Sequence, residues 1–347
     1  MKAALYDEFR GPLRIGEVDP PVPGPGEAIV KVEASGLCRS DWHGWMGHDP
    51  DIVTLPHVPG HELAGTIAAR GESVTRFAIG DRVTVPFVSG CGACPECRNA
   101  NHHICDNQYQ PGFHGWGSFA THVRLRYADE NLVRLPDAID FVTAASLGCR
   151  FSTSFRAVVE QGRVARDQWV AVHGCGGVGL SAIMIAHALG ARVVAVDIDD
   201  EVLALAESLG ARATLNAART NDVASAIHDI AKRGAHVSID ALGSEATCAN
   251  SIACLRKRGR HVQVGLLAGD SRSPRVPMDL VIARELELVG SHGMQAARYD
   301  AMFGLIASGD LDPGRLVRRT IALEEVPDAL PSMGSFGTTG ITVIDRF

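Results

Sequence analysis

The second half of this chain repeats the order apolar strand, short turn, helix, and this repetition constrains the fold more than any other feature. Strand-like apolar stretches are separated, in most cases, by alanine-rich helical stretches. The predicted strands are Trp169–His173, Arg192–Val196, Ala213–Asn216, His236–Ala241, Arg260–Gly265 and Leu286–Gly290. Strands that alternate with helices pair in parallel, so we predict an α/β fold with a doubly wound parallel sheet.

The turn after the first of these strands has the glycine spacing of a dinucleotide-binding site. Gly174, Gly176 and Gly179 fit the pattern G-x-G-x-x-G, with Gly177 and Val178 between them. Such glycines permit a tight turn, a close approach of the backbone to a pyrophosphate, and close packing of the helix on the strand. The alternative is a tight turn in an α/β domain that binds no nucleotide.

An acidic residue at the end of the next strand indicates which cofactor would bind. Asp197 lies eighteen residues after Gly179, where a carboxylate can accept the hydroxyl groups of the adenosine ribose. The same carboxylate would repel a 2′-phosphate, and the residues after it, Ile198-Asp-Asp-Glu201, include acids and no base. We therefore predict NAD rather than NADP.

Four closely spaced cysteines predict a metal site in the first half of the chain. Cys91, Cys94 and Cys97 recur at intervals of three, and Cys105 follows eight residues later. Four thiolates around one ion are the preferred ligands of a structural zinc, which leaves no coordination position for a substrate. We predict a zinc-bound lobe at 88–106. The alternatives are a disulfide knot or a redox-active Cys-x-x-Cys.

Length and composition favour a globular protein with two domains. The chain has 347 residues, 46% of them apolar and 21% charged. Its beginning lacks the apolar core of a secretory signal, and no stretch has the roughly 18 uncharged apolar residues of a membrane span. A net charge of −7 argues against nucleic acid or a membrane as a partner. We expect a cytoplasmic location.

The texture of the chain predicts the domain limits. About the first 145 residues are rich in glycine, proline and short strand-like runs, such as Ala28–Glu33 and Phe119–Val123. We predict a β-rich domain at 1–150, a nucleotide-binding domain at 151–290, and a return to the first domain at 291–347.

Several motifs together make the whole chain resemble a known family. They are Gly36-Leu-Cys-Arg-Ser-Asp41, Gly60-His-Glu62, the cysteine run, Gly148-Cys149 and the glycine turn. In these motifs and in their separations the chain is similar to the zinc-dependent medium-chain alcohol dehydrogenases, of the medium-chain dehydrogenase/reductase superfamily. The resemblance implies a GroES-like catalytic domain beside a Rossmann domain for NAD.

The resemblance also implies a second, catalytic zinc. Cys38, His61 and Cys149 would be its ligands, and an open fourth position would take water or the alcohol oxygen. Glu62 would lie behind the metal, close to it or as an occasional ligand. Asp41 would hold the far nitrogen of His61 and so fix its tautomer.

A proton path and further cofactor contacts follow from the same resemblance. The alcohol proton would pass through Ser40 and the cofactor ribose to His43; the alternative is that His43 is only a surface histidine. Arg39 would contact the pyrophosphate. Val264 and Leu266, around the end of a predicted strand, would complete the NAD site.

The implied substrate pocket has aromatic walls. Trp45 and Phe87 would line it, with contributions from Trp42 and Trp116. Such walls favour small to medium apolar alcohols over sugars, although Arg150 and Arg156 leave a charged substrate open.

The favoured function is therefore reversible oxidation of an alcohol to an aldehyde or ketone, with two zinc ions per chain and NAD. One alternative is a specialised dehydrogenase for polyols, cyclic alcohols or a CoA-linked hydroxy acid. Another is a non-catalytic NAD-binding protein. We predict a homotetramer, with a dimer as the alternative.

Overall fold

The chain folds into two compact units. The computed structural model describes residues 1–267, 272–334 and 339–347. Unit 1 consists of Met1–Ser152 and Gly293–Phe347, and unit 2 of Thr153–His292. The part of the sequence that is rich in short strands and turns lies in unit 1, and the part that alternates strands with helices lies in unit 2.

Unit 1 is built mainly from antiparallel strands. A separate antiparallel pair consists of β1 (Lys2–Leu5) and β2 (Arg14–Glu17). The other strands of this unit are β3 (Ala28–Leu37), β4 (Glu62–Arg70), β5 (Arg82–Thr84), β6 (His122–Leu125), β7 (Val133–Arg134), β14 (Val317–Ala322) and β15 (Ile341–Arg346). The described residues join these strands in the order β14-β15-β3-β4-β5-β7, with β6 also paired to β3. The chain after Gly293 therefore contributes two strands to the sheet that the first 152 residues form.

Short helices fill the connections of unit 1. They are α1 (Arg39–Trp45), α2 (Pro95–Arg98), α3 (Ala128–Asn131), α4 (Phe141–Ala145), α11 (Tyr299–Ala307) and α12 (Val326–Ser332). The chain passes from unit 1 into unit 2 within α5 (Ser152–Arg156), which continues a π-helical turn at Leu147–Phe151 and is followed by another at Ala157–Gln161.

Unit 2 contains a parallel sheet with helices in its connections. Its strands are β8 (Trp169–His173), β9 (Arg192–Asp197), β10 (Ala211–Asn216), β11 (Ala235–Asp240), β12 (Leu255–Gln263) and β13 (Glu287–Gly290), and its helices are α6 (Gly177–Ala188), α7 (Asp200–Ser208), α8 (Val223–Ala231), α9 (Glu245–Ala253) and α10 (Met278–Arg284). The strand order is β10-β9-β8-β11-β12-β13, and neighbours in that order are parallel. The α/β fold predicted from the alternation is confirmed.

Burial explains why the central strands of unit 2 are apolar throughout. In β8, Val170, Ala171 and Val172 have no exposed surface, because a central strand of a parallel sheet is covered on both faces. In unit 1 the buried apolar residues form separate clusters. One includes Leu5, Tyr6 and Phe119, and another lies around β3, β4 and β6.

One predicted strand of unit 1 is displaced along the chain. The stretch Phe119–Val123 was expected to be extended and paired, but β6 spans His122–Leu125. Phe119 and Ala120 instead pack into the cluster around Tyr6, and Ala120 forms an isolated bridge with Ala3. Within the described part of the chain, no helix is long and apolar enough to cross a membrane.

Candidate active site

Three elements of unit 1 bring together the residues predicted to bind the catalytic zinc. Cys38 follows β3 and is the N-cap of α1, His61 immediately precedes β4, and Cys149 lies in the π-helical turn at 147–151. Single π-helical turns occur frequently at functional sites. One ligand atom from each of these residues and one from Glu62 all lie within 4.8 Å of one another. Zinc bonds of about 2.0 to 2.3 Å would place ligand atoms of a tetrahedron about 3.3 to 3.8 Å apart, so the group is compact enough for the ion.

The pairing of β3 with β4 explains why residues distant in sequence meet here. The two strands are antiparallel, and Gly36 lies opposite Glu62. The last residues of β3 therefore lie beside the first residues of β4, and this places Cys38 close to His61. A side chain at position 36 would not fit, because its Cβ would lie 2.3 Å from Oε2 of Glu62.

Asp41 orients the imidazole of His61. Oδ1 of Asp41 lies 2.7 Å from Nδ1 of His61 and also accepts the N–H of Gly60 at 3.1 Å. Oδ2 accepts the N–H of Cys38 at 3.0 Å, as a carboxylate at the third position of a helix commonly does for the N-cap. Both side chains are fully buried.

The other nitrogen of His61 is directed at the thiols. Nε2 is buried, and no described residue forms a hydrogen bond with it. A buried polar atom of this kind requires a partner, and a metal ion held by two thiolates and one imidazole supplies one. The residues at this position therefore fit zinc.

A buried ion pair holds Glu62. The carboxylate accepts the N–H and the Nε–H of Arg150, both at 3.0 Å, and it also contacts Nη2. Burial raises the pKa of Glu62, although the charge of Arg150 opposes this shift. The guanidinium of Arg150 is therefore held by Glu62, next to the residues predicted to bind the catalytic zinc.

The thiol of Cys38 loses its proton more readily than the thiol of Cys149. A hydrogen bond with Cys149 lowers the pKa of Cys38 well below its ordinary value; burial opposes the shift, and Arg150 and His61 add to it. One thiol of the pair is therefore readily deprotonated, as a metal ligand must be.

The second group of possible metal ligands contains the four cysteines of the predicted structural site. The sulfur atoms of Cys91, Cys94, Cys97 and Cys105 lie within 4.8 Å of one another, and all nine cysteines of the chain are unpaired by disulfides. The geometry therefore disfavours a disulfide knot. A turn of the chain at α2 brings the first three sulfurs to the same side.

Backbone N–H groups point at these sulfurs. The N–H of Cys94 donates to Sγ of Cys91 at 3.3 Å, and the N–H of Asn107 donates to Sγ of Cys105 at 3.2 Å. Burial raises the pKa of Cys91, but hydrogen bonds with the N–H groups of Ala93 and Cys94 and with the thiols of Cys105 and Cys94 lower it to about 6. Donors arranged around sulfur stabilise thiolates, so this group also fits a zinc ion.

The glycine turn of unit 2 has the geometry of a nucleotide-binding loop. Gly174 has a φ of 86°, which a residue with a side chain rarely adopts, and a Cβ at Gly179 would lie 1.9 Å from the carbonyl oxygen of Gly174. A Cβ at Gly176 would meet nothing within 4 Å, so the space in front of α6 is open. Helix α6 begins at Gly177, and its N-terminus favours a negatively charged group in that space.

Asp197 lies beside this turn. Its carboxylate accepts the N–H of Cys175 at 2.6 Å and that of Ile198 at 2.7 Å. The N–H of Gly174 also donates to the carbonyl oxygen of Val196, the residue before Asp197, at 2.8 Å. These contacts attach the end of β9 to the turn after β8. The residues of the turn and this acid therefore fit the pyrophosphate and ribose of a dinucleotide.

Known proteins share both parts of this arrangement. Residues 24–137 match the family model described as alcohol dehydrogenase GroES-like domain, and residues 177–308 match the one described as zinc-binding dehydrogenase. An alcohol dehydrogenase of Moraxella sp. (strain TAE123) is 39% identical over 272 residues, which cover 78% of this chain and 79% of that protein. An NAD-dependent alcohol dehydrogenase of Sulfurisphaera tokodaii is 30% identical over 99% of both chains. Alcohol dehydrogenase TADH from Thermus sp. ATN1 is 30% identical, with a TM-score of 0.90 over 100% of both chains.

This chain belongs to the zinc-dependent medium-chain alcohol dehydrogenase family. The predicted alcohol dehydrogenase activity, the zinc and NAD cofactors and the GroES-like domain are thereby confirmed.

The residues predicted for the proton path and for further cofactor contacts in this alcohol dehydrogenase lie on α1 of unit 1 and after β12 of unit 2. Ser40 and His43 lie in α1, which starts directly after Cys38. Arg39 donates to the carbonyl oxygen of Met333 at 3.0 Å, and its guanidinium lies 5.2 Å from the ring centre of Trp42. In unit 2, Val264 and Leu266 follow β12, and the N–H of Val264 donates to Asp240 at 3.0 Å.

The predicted pocket residues have different surroundings. Phe87 is buried, and its ring centre lies 6.3 Å from that of His61. Trp45 donates its indole N–H to the carbonyl oxygen of Gly11 at 2.8 Å and packs against the cluster around Tyr6. Phe87 thus lies beside His61, whereas the polar edge of Trp45 is occupied by the backbone of another loop.

Two neighbours of the site in this dehydrogenase were not predicted from its sequence. Phe113 is buried, with its ring centre 5.4 Å from that of His61, closer than Phe87. No local pattern marks Phe113, because only the folded chain brings it to His61. His48 contacts His43 through their Nδ1 atoms, 3.0 Å apart. The glycine before His48 could have indicated that contact.

Proposed function

We propose that this enzyme oxidises small to medium apolar alcohols to aldehydes or ketones, reversibly, with NAD as the hydride acceptor. The observation that supports this most directly is the buried group of Cys38, His61 and Cys149, in which Nε2 of the imidazole has no hydrogen-bond partner among the described residues. Two thiolates and one imidazole bind zinc and leave one coordination position for water or a substrate oxygen.

We assign the catalytic zinc to these three residues and the structural zinc to the four cysteines between 91 and 105. When bound, the catalytic zinc supplies a Lewis acid that makes a substrate hydroxyl more acidic. Asp41 holds His61 in one tautomer and one ring orientation. Glu62, fixed by Arg150, places a carboxylate next to the ligands without an exposed charge.

We assign the removal of the hydroxyl proton to Ser40 and His43. Both lie on α1, three residues apart, and residues at this spacing lie on the same face of a helix. Burial lowers the pKa of His43, and the charges of Arg39 and His48 lower it further. His43 is therefore neutral near pH 7 and can accept a proton.

The surroundings of Asp197 support a preference for NAD over NADP. A 2′-phosphate would lie against this carboxylate. Arg219 is the nearby base that could have balanced the charge, but it forms an ion pair with Asp200 at 2.7 Å. Asp200 also accepts a hydrogen bond from Asn216 at 2.6 Å. We also assign Arg39 to the pyrophosphate, the turn from Gly174 to Gly179 to the dinucleotide, and Val264 and Leu266 to its nicotinamide half.

Aromatic residues next to His61 support apolar substrates. The rings of Phe87 and Phe113 are steeply inclined to the imidazole, with interplanar angles of 74° and 69°. Apolar walls of this kind favour a hydrocarbon substituent over a polyol, whose hydroxyl groups would lose their hydrogen bonds to water. Trp45 remains a candidate for the pocket through its ring face alone, since its N–H is occupied.

The proposal extends to domain roles and assembly. We propose that unit 1 is the catalytic domain and unit 2 the NAD-binding domain. We also propose a homotetramer, with a dimer as the alternative. Ile282 on α10 and Leu288 on β13 are exposed apolar side chains that a contact between subunits would bury.

The test combines zinc analysis with a panel of alcohols. The wild-type protein should contain two zinc ions per chain and reduce NAD with apolar alcohols. Cys149→Ser should lose about one zinc and at least about 10²-fold in kcat/KM, because a hydroxyl is a poor zinc ligand beside a thiolate. Cys248→Ser, which alters a buried thiol in unit 2, is the matched control and should keep both ions. Full activity in Cys149→Ser would contradict the proposed site.

A further inference from the structure

Helix α1 ends in a motif that brings two histidines together. Gly47 adopts a φ of 74° directly after the C-cap residue Met46. The N–H of Gly47 donates to Gly44 at 2.9 Å, and the N–H of His48 donates to His43 at 3.0 Å. These two bonds form a Schellman motif, in which the side chains of the first and last residues contact each other. An apolar pair usually occupies those positions, but here they are two imidazoles.

The contact between the rings has a specific chemical meaning. Nδ1 of His43 lies 3.0 Å from Nδ1 of His48, and the ring centres are 5.4 Å apart. At this distance one nitrogen donates and the other accepts, so the two neutral rings share one proton between their Nδ1 atoms. The Nε2 atoms of both rings are then at the outer ends of a short hydrogen-bonded chain.

Of the two histidines, the one next in the chain to the solvent must be the more exposed if the pair is to release a proton to water, and this is His48. His43 is half-buried, and His48 is exposed. The ring of Trp42 is steeply inclined to both imidazoles, and its centre lies 4.9 Å from the ring centre of His43 and 5.8 Å from that of His48. The charged groups around His43 are Arg39, which disfavours its protonation, and Cys38 and Asp49, which favour it. His43 therefore has a partly closed environment with an exposed imidazole as its neighbour.

We propose that His48 receives the proton from His43 and releases it to water, and that it holds the His43 ring in the orientation for proton transfer. This inference rests on the proposed role of His43. In each turnover His43 gains a proton at Nε2 and gives the proton on its Nδ1 to Nδ1 of His48. His48 then loses the proton on its Nε2 to water. One proton enters the pair and one leaves. Before the next turnover, water removes the proton on Nε2 of the half-buried His43, Nδ1 of His48 returns its proton to Nδ1 of His43, and water supplies a proton to Nε2 of His48, which restores both tautomers without net change.

The test compares His43→Gln, His48→Gln and the double variant with the wild-type holoenzyme. His122→Gln is the matched control, because this half-buried histidine of unit 1 contacts Thr121 rather than the pair. The measurement is kcat/KM for an apolar alcohol at saturating NAD and low buffer concentration, from about pH 6 to about pH 9. A second variant, His48→Glu, tests whether a group that can carry a proton replaces the imidazole better than glutamine. Thermal unfolding checks that each variant is folded.

We expect His43→Gln to lower kcat/KM by about 10²-fold, and His48→Gln by about tenfold, since water can partly replace an exposed acceptor. The double variant should be no slower than His43→Gln, because the two residues act in series. Added imidazole should restore much of the rate of His48→Gln, and the loss should be smallest at the highest pH, where hydroxide accepts the proton. His48→Glu should be faster than His48→Gln.

Distinct outcomes overturn the inference and the proposed function. If His43→Gln is slow but His48→Gln is as fast as the wild type, His48 has no part in proton release and the inference is wrong. Equal rates for His48→Gln and His48→Glu, without rescue by imidazole, would reduce His48 to a helix cap. If His43→Gln itself is as fast as the wild type, the proton path through His43 is wrong.

Discussion

Replacement of Asp41 by asparagine tests how the fold prepares the catalytic metal site. Asp41 accepts three hydrogen bonds, from His61 at 2.7 Å, from Cys38 at 3.0 Å and from Gly60 at 3.1 Å. Asparagine has almost the same shape but only one acceptor oxygen. If that oxygen faces His61 and Gly60, the amide NH2 must face the N–H of Cys38, and two donors oppose each other in a buried site.

The expected magnitude follows from this count. Losing one hydrogen bond to a charged group costs about 1.5 to 3 kcal/mol. At about 1.4 kcal/mol for each factor of ten, the affinity of the site for zinc should fall by about 10- to 100-fold. This range agrees with the usual effect of removing a partner of a metal-ligating histidine. The structural zinc should be unaffected, since Asp41 contacts none of its ligands in the described structure.

A chelator titration with an optical zinc indicator measures the effect. In Asp41→Asn one zinc per chain should leave at a lower chelator concentration than in the wild type, and kcat/KM should fall in parallel and recover with added zinc. Asp51→Asn is the matched control, because Asp51 also faces a histidine, His114 at 3.5 Å, but its side chain is 43% exposed. Its titration should match that of the wild type, as expected for an exposed ion pair. Two equally retained zinc ions in Asp41→Asn, with undiminished activity, would refute the reasoning.

Two further predictions concern the structural zinc and the cofactor. Cys105→Ser should contain one zinc per chain and be less stable by about 3 to 4 kcal/mol when free zinc is 100 to 1,000 times the dissociation constant, while the folded fraction keeps near-normal kcat; lost turnover at unchanged stability, measured by denaturant unfolding, would contradict a structural role. Asp197→Gly should weaken NAD binding by about 5- to 100-fold, through the loss of about 1 to 3 kcal/mol of hydrogen bonding, and raise the ratio of NADP to NAD activity. An unchanged ratio in steady-state kinetics would place the adenosine ribose elsewhere.

Local sequence patterns were sufficient to predict the residues whose roles depend on nearby neighbours. The glycine turn is one example: Gly174 needs a positive φ, and Gly179 contacts the carbonyl five residues earlier, so both constraints act within one short segment. The run of four cysteines is another, because most of its N–H···S contacts span three residues or fewer. The catalytic ligands are far apart in sequence, and their prediction depended on the family resemblance rather than on spacing.

The limits of β6 could not be predicted in the same way. The apolar pattern from Phe119 to Val123 suits a strand, and the alternation of buried and less buried residues continues through Arg124 to Leu125. Which part of it pairs with β3 depends on the register between distant segments, and Ala120 is paired with Ala3 instead. A local pattern contains no information about that choice.

The sequence by itself determined the α/β fold and predicted the four-cysteine site and the nucleotide-binding turn, because periodicity, glycine geometry and thiol spacing are properties of short segments. The predicted ligands of the second site followed from the family resemblance. Only the tertiary structure decided which side chains surround those ligands. Arg150 is buried against Glu62, Phe113 packs beside His61, and Arg219 is paired with Asp200. Each of these contacts joins separate elements, and their formation depends on strand register and packing over the whole unit.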